Sequence, residues 1–242
     1  MDIVAARTLN YLYIYLDIIW LIIYALILIH RKRYIALIAG AIGGAIYFAV
    51  DYGIFYALLG TRVVTGVDPF WFLLWLSISY GFTNFAWIWL LLDRDGNGVE
   101  WSVLTIMGWV AVALLSQNFG AYFQPISIQR GTSGYHGIMA LILVVGYLYL
   151  IVQNLRATGQ GKVNILRLMA IGIGVQLSWE AVLLLTGIRP VGIMPLIINS
   201  LIETNLGMPY LYLIHRAVSR HFDESLTRKK PVDMSPDNIL IA

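Results

Sequence analysis

Residues 189–216 read R-P-V-G-I-M-P-L-I-I-N-S-L-I-E-T-N-L-G-M-P-Y-L-Y-L-I-H-R. The stretch is mostly apolar and long enough to cross a bilayer, which takes about 20 residues. Yet Asn199, Ser200, Glu203, Thr204 and Asn205 fall near its middle, with Gly207 and Pro209 just beyond. An ionisable group at membrane depth costs roughly 3 kcal/mol unless it faces a protein interior or a water-filled cavity. The segment therefore predicts one helix of a membrane bundle with a polar interior.

The rest of the chain agrees. Its 242 residues are 60% hydrophobic and 12% charged, against about 25% charged in an ordinary soluble domain. The mean hydropathy is +0.77. The absence of cysteine excludes disulfides, thiolate metal sites and a thiol nucleophile. The net charge of +3 is no nucleic-acid signal, because the basic residues fall in short loops where they set topology. The first apolar run, from about Asn10, lacks a basic leader and is followed by further runs, so it is expected to be a retained helix.

Seven windows are long and apolar enough to span, at about 10–30, 34–59, 69–92, 101–120, 134–155, 165–188 and 190–214. The expected fold is therefore all-α: a seven-helix transmembrane domain over residues 1–218, then a charged cytoplasmic tail over 219–242. With the amino terminus outside, twelve of the sixteen Lys and Arg residues lie inside. Only Arg7, Arg62, Arg130 and Arg189 lie outside. That division obeys the positive-inside rule and places the protein in the cell membrane with a cytoplasmic carboxyl terminus. Trp71 and Trp101 fall where interfacial aromatics are expected. Asp68-Pro69 reads as a cap and first turn, and Pro190 as the same for the seventh helix.

Spans 1–3 and 5–7 can be superposed in the same orientation, with span 4 as connector. Ala49-Val50-Asp51 followed by Gly60-Thr61-Arg62 matches Ser178-Trp179-Glu180 followed by Gly187-Ile188-Arg189. Thr83-Asn84 likewise matches Thr204-Asn205. Such a parallel 3+1+3 plan places a site between the halves.

Four carboxylates fall inside spans: Asp17, Asp51, Glu180 and Glu203. At helical periodicity Asp17 shares a face with Asn10, Tyr13, Trp20 and Tyr24. Asp51 shares one with Gly44, Tyr47, Phe48 and Phe55. Glu180 follows Gln176 by one turn, and Glu203 follows Asn199 by one turn. No Lys or Arg lies within a span, so at least one acid is expected to keep its proton and to serve as donor or strut. Gly40, Gly43 and Gly44 suit close helix packing, within the chain or between copies through the Gly40/Gly44 face.

Other motifs are weaker. Asp93-Arg94-Asp95-Gly96-Asn97-Gly98 opens like a calcium loop but has Leu104 where a bidentate Glu is required, so a tight turn is expected. His30, His136, His215 and His221 are scattered, and neither a metal nor another cofactor is expected.

Size, seven spans and intramembrane acids resemble the small integral-membrane terpene cyclases of meroterpenoid and indole-terpenoid pathways. In that family an acid late in the second helix and another in the last helix act as proton donors to an epoxide or alkene. The matching residues are Asp51 in A-V-D-Y-G-I-F-Y and Glu203 in N-S-L-I-E-T-N, although Val50 stands where the family has Trp and Asp51 where it has Glu. The Trp-Glu pair itself occurs as Trp179-Glu180 in the sixth span. The resemblance implies catalytic Asp51, Glu203 and Glu180 and a lipophilic small-molecule substrate. Trp179, Asn84, Asn199, Asn205, Tyr47 and Gln176 would line its site. The 3+1+3 plan also looks like that of the SWEET sugar transporters, with Asn84, Asn205 and Trp179 near mid-membrane, but the prolines and Pro-Gln loops of that family are missing. A non-catalytic membrane subunit or lipid-binding scaffold is the third reading.

Overall fold

The computed structural model describes residues 5–131, 133–157, 162–190 and 192–228. Among the described residues seven α-helices follow in order: α1 (Tyr11–His30), α2 (Tyr34–Phe48), α3 (Pro69–Leu92), α4 (Gly98–Phe119), α5 (His136–Arg156), α6 (Ile165–Leu185) and α7 (Ile193–Arg228). Helix α2 continues without a break into a wider π-helical segment, Ala49–Leu58. Its last turn closes through Leu59 N–H to Ile54 O, five residues back, at 2.9 Å.

Five helical stretches are long and apolar enough to cross a membrane: Tyr11–His30, Tyr34–Leu58, Gly98–Tyr122, His136–Arg156 and Ile165–Leu185. Their outer faces are apolar, with Ile22, Leu26, Leu141 and Val145 all more than half exposed. Water would penalise faces of that size, and lipid does not. Helices α3 and α7 were expected as spans too but fall outside this set. Ser77, Ser79, Thr83 and Asn84 in the middle of α3 are all buried. This helix sits at the centre, packed against α1, α2, α4, α6 and α7, so its polar groups meet protein rather than lipid.

Local signals account for the helix starts. Asn10 caps α1 by accepting from Tyr13 N–H at 3.1 Å. Asp68 accepts from Phe70 and Trp71 N–H at 3.0 and 3.2 Å, with Pro69 in the first turn. Asn164 caps α6 through Arg167 N–H.

Several expectations are corrected. The fold is not purely helical: β1 (Ala5–Asn10), β2 (Arg62–Thr65) and β3 (Pro125–Arg130) form an antiparallel sheet in the order β1-β3-β2. Helix α7 starts at Ile193, three residues after Pro190, and runs to Arg228, so no helix end falls at 218. Trp71 is exposed at the sheet end as expected. Trp101 is instead buried against Tyr24, at 6.4 Å and edge-on, because α1 packs across that face.

The glycine face of α2 is occupied within the chain. A Cβ on Gly81 of α3 would lie 2.6 Å from Gly44 Cα, and one on Gly40 would lie 2.7 Å from Phe82 O. The α2 and α3 backbones cross here with no room for side chains, so this face is not available to a second copy. Gly81→Val is expected to force the helices apart and lower stability by about 1–3 kcal/mol. Thermal unfolding in detergent measures it, and an unchanged midpoint would refute the close crossing.

Connections alternate between two ends. The sheet and the α6–α7 turn share one end, where Thr8 N–H donates to Ile188 O at 2.8 Å. The opposite end is tied by Arg33 to Asp95 at 2.7 Å, His215 Nε2 to Asp93 at 2.6 Å and Arg167 to Leu91 O at 2.7 Å. The Asp93–Gly98 segment is thus a tight turn, as the sequence implies.

Candidate functional site

The sheet has two unlike faces because strand side chains alternate. Leu9, Ile126 and Ile128 are buried beneath it, while Thr8, Val63 and Thr65 are exposed. The same inward register carries Arg7, Arg62 and Arg130. Arg7 pairs with Ile128 across the ladder, and Arg62 stands directly opposite Arg130. Like charges placed so destabilise a sheet unless an anion lies between them.

Asp51 is that anion. Its Oδ1 accepts from Arg62 at 2.8 Å and from Arg130 at 3.3 Å. The π-helical winding of residues 49–58 carries Asp51 as its buried residue. Along the same segment Phe48 stacks on Tyr52 at 5.3 Å, and Tyr52 on Tyr56. Phe55 lies under the Arg62 guanidinium, 4.5 Å from it, a cation–π contact.

Glu180, fully buried on α6, is the second centre. Its Oε1 accepts from Arg7 at 3.3 Å, Gln176 Nε2 at 3.3 Å and Asn199 Nδ2 at 3.2 Å. Its Oε2 pairs with Arg189. Tyr80 of α3 donates to Gln176 Oε1. Arg7 also lies within electrostatic range of Asp51, so it links the two centres. Arg7, Arg62 and Arg189 are each under 5% exposed. Charges at that depth persist only when paired and hydrogen-bonded.

The two acids are held by the same device. Asp51 is followed by Gly60-Thr61-Arg62, and Glu180 by Gly187-Ile188-Arg189. Both glycines adopt left-handed φ, +61° and +74°. Each ends a helix and turns the chain so that the arginine two residues later reaches back to the helix's own acid. Backbone bonds spanning six residues close both turns, Thr61 to Phe55 and Arg189 to Leu183. Gly187→Ala would strain the second turn by about 1 kcal/mol, since only glycine visits this region freely. The expected result is a lower unfolding midpoint with the helix content unchanged.

An aromatic layer lies deeper. Tyr47 packs on Tyr80 at 4.8 Å, Tyr80 on Trp179 at 5.6 Å, Trp179 on Trp109 at 5.0 Å and Trp109 on Trp87 at 5.8 Å. Asn84 sits on α3 between Tyr80 and Trp87, fully buried. Among the described residues neither of its amide atoms has a hydrogen-bond partner.

The structure thus brings together Glu180, Gln176, Asn199, Trp179 and Tyr47, with Asp51 linked through Arg7. Asn205 belongs elsewhere, since it accepts from Tyr147 on α5. Glu203 lies on α7, and its side chain is outside the described residues. For Asp51 and Glu180 the expectation that no cation reaches the acids is overturned, because four arginines of the sheet end fold inward. Each connection at the sheet end carries one arginine, and three of them alternate with Leu9, Ile128 or Val64. That alternation is the signal from which the pairing could have been anticipated.

Asp17 differs from the other two. It is 1% exposed among Tyr13, Trp20 and Tyr24 of its own face. Its Oδ2 accepts from the Trp75 indole at 2.9 Å, and among the described residues no cation pairs with it. No family model, curated protein or solved structure matches the chain.

Proposed function

We propose that the chain is a seven-span protein of the cell membrane that starts a reaction on a lipophilic prenylated substrate by donating a proton from a buried carboxyl group. The observation that carries this reading is the setting of Asp17. It lies deep among aromatic rings, is held by a neutral indole donor, and has no cationic partner among the described residues. A dry acid beside aromatic faces suits protonation of an alkene or epoxide and stabilisation of the cation that follows. Asp51 is paired with two guanidinium groups and Glu180 with guanidinium and amide donors, which suits them to fixing the sheet end over the bundle. Glu203 keeps the donor role that the cyclase resemblance implies for it.

An orientation with the sheet outside is supported by the fate of its arginines. Arg7, Arg62, Arg130 and Arg189 make ion pairs with helix acids, while Arg31, Lys32 and Arg156 at the other end are exposed. Exposed positive charge therefore gathers at one end, as expected on the cytoplasmic side.

The test is incubation of the purified, folded protein with a panel of prenylated aromatics bearing terminal alkenes or epoxides, in D2O. From an alkene a cyclised isomer in which one hydrogen is replaced by carbon-bound deuterium is expected, a deuteron being added and a proton lost, and from an epoxide a cyclised alcohol isomer. No conversion across the panel by folded protein would overturn the reading.

The repeated acid–glycine–arginine turn favours a second reading, a 3+1+3 carrier of a small neutral solute. Uptake of labelled hexose into proteoliposomes tests it. The separation of Asn205 from Asn84 and Trp179 counts against it.

A further inference from the structure

At the end opposite the sheet, a groove of about 520 Å³ lies between α5 and α7. Gln153, Arg156, Leu213, Arg216 and Arg220 line it, and among the described residues no carboxylate does. Among the described residues none of these three arginines has an ion pair, in contrast to those at the sheet end. Next to it, towards the middle of the same two helices, runs a second groove of about 300 Å³. Its walls are Val145, Gly146, Tyr149, Pro209, Tyr210 and Leu213. Leu213 borders both grooves, which adjoin as the two parts of a trough between α5 and α7.

The trough is built by local sequence. Gly146 leaves space where a Cβ would lie 3.0 Å from the Pro209 ring, so α7 approaches α5 closely there. Tyr210 OH donates to Ile142 O at 2.9 Å and closes the upper end. Gln153 Nε2 donates to Tyr149 OH at 2.8 Å where basic and apolar parts meet. From Gly146 to Arg156 is ten residues of helix, roughly 15 Å at 1.5 Å per residue. Val145 and Tyr149 are half exposed on the outer face of the bundle.

We infer that this trough binds an anionic diacyl phospholipid, with its phosphate among Arg156, Arg216 and Arg220 and an acyl chain along Val145, Gly146 and Tyr149. Charge complementarity selects the headgroup, because guanidinium forks match phosphate oxygens. The contiguous apolar groove distinguishes a lipid from a free phosphate. Basic pockets between helices at the cytoplasmic face commonly take such headgroups. The inference rests on the bilayer setting and is independent of the proton-donor reading.

The test uses the full chain in detergent, with dioleoyl phosphatidylglycerol and dioleoyl phosphatidylcholine as probes. Native mass spectrometry is expected to show retention of phosphatidylglycerol at least tenfold above phosphatidylcholine. That preference is expected to be lost in R216Q/R220Q and reduced in R156Q, with unfolding midpoints in phosphatidylcholine unchanged. Glycerophosphoglycerol, which has the headgroup without chains, is expected not to displace the lipid. Equal retention of both lipids, an unaltered preference in both variants, or displacement by the soluble headgroup would each overturn the inference.

Discussion

Glu180→Gln is expected to lower stability by about 3–5 kcal/mol, the range for breaking a buried charge pair from one side. The substitution keeps the shape of the side chain, so little of the effect comes from packing. What changes is the partner set. Glu180 accepts from Arg7, Gln176 and Asn199 and pairs with Arg189. An amide would present N–H donors to guanidinium donors and leave two cations without their shared anion. Arg7 comes from β1 and Arg189 from the α6–α7 turn, so the loss also loosens the sheet end from the bundle. Such a loss is a large share of the roughly 5–15 kcal/mol available to a folded chain. Folded yield by gel filtration and the unfolding midpoint in detergent measure it. Adding Arg189→Gln to the variant is expected to restore part of the loss, because one of the orphaned cations is removed. Wild-type stability in Glu180→Gln would show that the buried pairs do not hold the end together.

Asp17→Asn is expected to reduce product formation by roughly 10²–10⁴-fold, the contribution of a positioned proton donor. The fold should survive, since an amide oxygen can still accept from the Trp75 indole that now binds Asp17 and the substitution introduces no bulk. The two readouts separate the roles. A variant that unfolds marks Asp17 as a strut, and one that is folded and still active removes it as the donor. A folded and inactive variant is the expected result. Asp51→Asn sits in a different position: it would leave Arg62 and Arg130 facing each other across the ladder, so its first effect is on the sheet and only then on any chemistry.

The helices could be read from the chain because their causes are local. Asn10, Asp68 and Asn164 cap the helices that follow them through bonds spanning two or three residues. Apolar runs of suitable length then continue until a glycine or a charged turn. The face shared by Tyr13, Asp17, Trp20 and Tyr24 is buried as helical periodicity requires. Around Asp51 the same arithmetic holds only in part, because residues 49–58 wind as a π-helix: Phe55 still meets the arginine that Asp51 binds, while Phe48 stacks on Tyr52. The sheet escaped notice for another reason. Its strands have four to six residues and lie before or between the long apolar runs, where they resemble ordinary connections.

By itself the sequence determined a helical membrane protein, the positions of its helices, four acids within them, and the matching Asp51–Arg62 and Glu180–Arg189 segments. The tertiary structure decided which charges meet. Arg7 and Glu180 are 173 residues apart and Arg130 and Asp51 are 79 apart. Their pairing follows from the register of three strands and the docking of the sheet on the bundle; the alternation of arginine with apolar residues marks the arginines as inward-facing but does not name their partners. Short-range periodicity therefore places an acid on a helix face and a local turn brings Arg62 to Asp51 and Arg189 to Glu180, while only long-range contact adds Arg130 and Arg7 to those acids and gives Asp17 an indole instead.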